Sequence, residues 1–139
     1  MFADLQLVPD DGRAVAVFTA DAAHRAALAD ALSWHVTRRF QSDTLDADTA
    51  LELRAAGALA DRIDEFRAFE GHAPLRLDAD QVRLLIAAVF AYRAERDTDG
   101  YQPPEERSRL AELTALIDPL FDLVADLDRA DQVLAAQPV

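Results

Sequence analysis

The densest apolar pattern in the chain lies between Asp78 and Arg96, where only Arg83 interrupts the apolar residues from Val82 to Tyr92. A helix over this stretch leaves little face for water, so the remaining elements are expected to wrap it. Asp78, followed three residues later by Gln81, supplies a capping box at its start.

Three further segments carry helical spacing. A first long helix, capped by Thr19 or Asp21 and reaching about Phe40, places Leu28, Ala31, Leu32, Val36 and Phe40 on one stripe. A second, capped by Asp46 or Asp48 and reaching about Glu70, turns Leu53, Ala56, Ala60, Ile63 and Phe66 inward, with Gly71 as its terminator. Gly57 in its interior costs stability unless a neighbouring backbone comes close, which makes tight helix packing the expectation there. The last helix starts at Pro104 with Glu105 and Glu106 beside its positive end. Its a/d seam is Leu110, Leu113, Ile117, Leu120, Val124 and Leu127, continued by Leu134, with Leu116, Phe121 and Leu123 beside it. Pro119 inside this run predicts a kink near Ala115 to Pro119, or a break into two helices.

Strand periodicity is confined to short pieces. Leu5/Leu7 and Val15/Val17 alternate on either side of Pro9-Asp10-Asp11-Gly12, which supplies turn dihedrals, and Leu75-Arg76-Leu77 after Pro74 can add a third strand. The expected fold is therefore mainly α: a four-helix bundle with a small two- or three-stranded sheet from the N-terminal hairpin and residues 75–77.

The two halves resemble one another. A shift of about 57 to 59 residues sets Thr19-Ala20-Asp21 on Asp78-Ala79-Asp80, Trp34 on Tyr92, His35 on Arg93 and Arg38 on Arg96. The same shift brings Leu53 onto Leu110 and Ile63 onto Leu120. Residues 1–139 then form one domain built from two pseudo-repeated helix hairpins, about 14–70 and 73–130. Any two amphipathic helices align at some register, but the matched order, loop position and cap pattern favour a real duplication.

At 139 residues the chain can bury roughly two thirds of its unfolded surface. It has no cysteine, so disulfides and thiolate metal sites are excluded. No apolar run is long enough to span a bilayer and the first residues lack a signal-peptide pattern, which makes a cytoplasmic location the default and no membrane partner expected. A net charge of -12 argues against direct nucleic-acid binding and leaves basic partners open. The absence of lysine and asparagine is explained first by GC-rich codon bias, with salt adaptation and mimicry of nucleic acid as sharper readings of the same composition.

Candidate chemistry is sparse. His24 and His35 both fall on the inward face of the first helix but stand roughly 16 Å apart along it, too far to share a metal ion. His35, Arg39 and, by the repeat, Arg93 would form a basic cluster able to hold an anion or do acid–base work, with Asp64 or Glu65 to answer it; boundary residues snorkelling to water are the alternative. Trp34 flanks that cluster, either packed on a neighbouring helix or exposed as an interface anchor. Glu95, Asp97, Asp99 and Glu106 around Gly100 match a calcium loop in glycine and closing glutamate. Glu95 in the first position and Pro103-Pro104 in the second half count against it. No cofactor motif, phosphate loop or nucleophile motif is present, so no cofactor is implied.

What remains is an apolar surplus that one bundle does not obviously hide. The expectation is a non-enzymatic helical interaction or accessory protein, a homodimer or a partner-docking module working through helix faces. Two alternatives stay open: an anion- or small-molecule-binding protein or small hydrolase centred on His35, and an acidic decoy of nucleic acid.

Overall fold

The computed structural model describes residues 2–42, 46–65, 71–97 and 102–137. In chain order these form β1 (Ala3–Asp10), β2 (Arg13–Ala20), α1 (Ala22–Ser42), α2 (Ala47–Asp64), β3 (Ala73–Asp78), α3 (Ala79–Asp97) and α4 (Pro104–Ala136). The protein is mostly helical, with four helices and one three-stranded antiparallel sheet in the order β1-β2-β3.

Local chemistry explains the element ends. Asp11 and Gly12 both take positive φ, 54° and 83°, closing β1 onto β2 through the two-residue turn that matches strand twist. Asp21 accepts from the His24 backbone N–H at 2.8 Å and so caps α1, and Asp46 accepts from the Thr49 N–H at 2.7 Å to cap α2. At α3 the capping box is reciprocal: the Gln81 N–H donates to the Asp78 carboxylate at 2.8 Å, and the Asp78 N–H donates to Gln81 Oε1 at 2.9 Å. Pro104 stands at the first position of α4, where its missing N–H costs nothing.

The helices cover one face of the sheet. Ala14, Ala16, Phe18 and Ala20 of β2 and Ala73, Leu75 and Leu77 of β3 alternate into the core with Leu28, Leu32, Leu59, Ile63, Leu85, Val89, Leu113 and Leu120. The far end of α4 is tied to the sheet by the Ala14 N–H, which donates to Asp131 at 2.6 Å. Both sheet edges are blunted. Arg62 donates to the Arg76 carbonyl at 3.3 Å, so alternate positions of β3 point outward, and Pro74, two residues back, has no N–H to offer there. The ladder alternation puts Pro9 at the outward edge of β1, which also carries a register shift between Ala3 and Gln6 and a positive φ at Asp4.

Several expectations are corrected. α3 is not wrapped all round: Asp80, Arg83, Ala87, Phe90 and Ala94 form one exposed stripe. α4 runs unbroken through Pro119 as one 33-residue helix. Its buried stripe is Leu110, Leu113, Leu116, Leu120, Leu123 and Leu127, with Ile117 and Val124 only half-buried. A straight helix of period 3.6 facing several neighbours selects this set over the two-partner a/d seam. Phe40 is 57% exposed rather than inward. At Gly57 no neighbouring atom would meet an added Cβ within 4 Å, so close helix packing is not its reason. α2 ends at Asp64 with Glu65 as its C-cap, short of the expected end at Glu70 and Gly71, and Phe66 lies outside the described residues.

Candidate functional site

α3 and α4 run antiparallel in a fixed register. One terminal nitrogen of Arg83 lies 2.5 and 2.6 Å from the two carboxylate oxygens of Asp128. Seven residues on along α3 and seven back along α4, the rings of Phe90 and Phe121 meet with centroids 5.9 Å apart. Two helical turns therefore separate an ion pair from an aromatic pair on the same outward seam. Nearer the α3 C-terminus, Arg96 Nε approaches Glu106 at 2.9 Å.

The aromatic pair faces water. Phe90 is 42% and Phe121 45% exposed, and Ile86, Ile117 and Val124 lie half-buried around them on the two helices. Ala87 and Ala94 extend the apolar strip along α3. At its rim, among the described residues, Arg93 on α3 and Asp118 on α4 make no hydrogen bond or ion pair. Phe121 was legible as part of the apolar surplus of α4. Its meeting with Phe90 was not, although equal heptad offsets from Arg83 and Asp128 are the signal that could have found it.

The His35 cluster assembles only in part. His35 is 6% exposed, inside α1, and its Nε2 has no hydrogen-bond partner among the described residues. Burial, then the Arg39 charge one turn on, lowers its pKa below the ordinary histidine value, with Glu52 of α2 acting the other way. Burial and Arg39 both disfavour the protonated imidazole. Arg39 is half-buried beside it, but Arg93 makes no polar contact with either residue and stands on the α3 rim instead. Four grooves of about 200 to 280 Å³ open elsewhere on the surface, and none is lined by His35.

Trp34 is half-buried, its ring edge-on to Tyr92 at 5.5 Å, and Tyr92 in turn lies under the Arg96 guanidinium at 5.2 Å. The packed reading of Trp34 therefore holds. Of the candidate calcium loop, Asp99 lies outside the described residues, while Glu106 is taken by Arg96 and Glu95 is in ion-pair distance of Arg38 at 3.5 Å. No group of three metal-ligating side chains occurs among the described residues.

A residue that periodicity did not single out is Arg25, 3% exposed, whose guanidinium donates to the Gly71 carbonyl at 2.9 Å and the Asp21 carbonyl at 3.3 Å. It anchors the chain entering β3 to the start of α1. No helix of the described residues is long and apolar enough to cross a membrane. No protein-family model, curated protein or solved structure matches the chain.

Proposed function

We propose that this protein is a non-enzymatic interaction module that self-associates through the outward seam of α3 and α4. The observation that carries the reading is the solvent-exposed Phe90–Phe121 pair, set in a strip of half-buried aliphatic residues. A second copy fits this face better than a purely basic partner because the rim carries both signs. Related by a two-fold axis, Arg93 of each copy is brought toward Asp118 of the other, and the Phe pairs stack at the centre. The blunted sheet edges leave helix faces as the association surface.

The helices are read here as a four-helix bundle of two duplicated strand-helix-helix units, β2-α1-α2 and β3-α3-α4. Supporting this, the repeat shift equates Trp34 with Tyr92, and those two rings touch. Residues equated by a two-fold operation meet one another only beside its axis. β2 and β3, the strands that open the two units, likewise pair antiparallel with each other.

Light scattering behind a sizing column tests the main reading. The expected mass at high micromolar concentration is about twice the 15.3 kDa of one chain, reverting to a single chain in Phe121→Asp with unchanged circular dichroism. Added salt should strengthen the dimer, since it screens repulsion between two copies of charge -12. A wild-type monomer at every salt concentration removes the proposal.

A further inference from the structure

The flank of α4 facing away from α3 carries a second surface. Between this helix and β1 lies a groove of about 280 Å³ lined by Phe2, Leu5, Pro119, Asp122, Leu123 and Asp126. Its floor is apolar: Phe2 packs on Phe18 with ring centroids 4.5 Å apart, Leu123 is buried, and Leu5 remains 45% exposed at the mouth. The register shift between Ala3 and Gln6, with Asp4 at φ 57°, brings Leu5 to the groove beside α4.

We propose that this groove receives an arginine or lysine side chain from a basic segment of a partner protein. The occupant follows from the walls. Asp122 and Asp126 stand one helical turn apart on one side of α4, so their carboxylates flank the same opening. Asp122 has no polar partner among the described residues, and Asp126 is engaged by Arg129, which is itself 73% exposed and free to turn aside. An aliphatic stem laid along Phe2, Leu5 and Leu123 with its cationic head between the two carboxylates satisfies both halves of the site. A hydrophobic side chain would fill the floor and leave the carboxylates unmatched, and a bare inorganic cation would leave the floor empty. The net charge of -12 draws such a segment in from a distance. The groove and the Phe90–Phe121 seam occupy different sides of α4, so this inference stands independently of self-association.

The test is an NMR titration of the full chain with a capped six-residue peptide alternating leucine and arginine, run at low salt. The expected result is saturable shifts of the Leu5 and Leu123 methyl signals, with affinity at least about tenfold weaker in the double variant Asp122→Asn, Asp126→Asn. The charge-matched control Asp48→Asn, Asp61→Asn should bind as the wild type does. The same peptide with citrulline for arginine should fail to saturate. Equal loss in both double variants would mean diffuse attraction to an acidic surface and would overturn the proposal. So would shifts centred on other residues, equal binding of the citrulline peptide, or matching shifts from spermidine, a cation without protein context. Repeating the titration on Phe121→Asp separates the two surfaces, because groove binding should persist there whether or not the protein dimerises.

Discussion

Arg76 on β3 reaches Asp10 on β1 at 2.7 Å, bridging the full width of the sheet over the central strand. Asp10 is level with Arg13 of β2 and Arg76 with Val17, so the pair passes above Val15. This explains how Val15 is 6% exposed on the face that the helices leave open. The charges are about half exposed and contribute little as charges, roughly 0 to 1 kcal/mol. The guanidinium stem is the larger part of the cover. Arg76→Met should therefore hold most of the urea stability that Arg76→Ala loses. Equal losses in the two variants would assign the effect to the ion pair instead.

Gly57 sits inside α2 at a helical position with open space where a Cβ would go. Nothing obliges that position to be glycine. Gly57→Ala should raise unfolding stability by about 1 kcal/mol, through reduced freedom of the unfolded chain and better helix propensity. Thermal unfolding measures it, and a lower melting temperature would mean that α2 needs the missing side chain for a contact outside the described residues.

Arg25 joins two carbonyls from separate parts of the chain, those of Asp21 and Gly71. Arg25→Met keeps the stem and deletes the donors, so the expected loss is about 1 to 3 kcal/mol, with faster amide exchange along β3. Arg25→Lys should not restore it, because one ammonium cannot present the guanidinium's planar fork. Protection of β3 unchanged in Arg25→Met would separate this residue from the entry into the sheet.

The lowered pKa of His35 makes stability pH-dependent in a definite direction. Below the ordinary value of 6.5 the unfolded chain takes up a proton that the folded chain resists, because burial and then Arg39 disfavour the imidazolium. The contribution is complete above pH 6.5 and is lost progressively as the pH falls toward the folded-state value. Between about pH 7.5 and 5, wild-type stability should fall more steeply than that of His35→Gln. Parallel slopes in urea titrations would show that the imidazole is no more buried folded than unfolded.

How much of this was legible beforehand depends on the range of the interaction. The caps at Asp21, Asp46 and Asp78, the Asp11-Gly12 turn and the proline start of α4 are set by contacts within a few residues, and each stands where local chemistry places it. Element type and order followed from periods of two and of 3.6. The candidate site was less accessible. His35 and Trp34 were identifiable from their positions on α1, but whether an imidazole meets Arg93 or is sealed off depends on the rotation of α3 against α1. Likewise Ile117 and Leu116 are adjacent and similarly apolar, and only the neighbours of α4 choose between them.

The sequence by itself determined the type and order of the helices and strands and that α4 carries more apolar residues than one amphipathic stripe needs, because both are properties of short stretches of chain. Tertiary packing alone decided which of those apolar residues stay in water. The antiparallel register that matches Arg83 with Asp128 also sets Phe90 against Phe121 at the surface, and a register is a relation between two helices that neither contains separately.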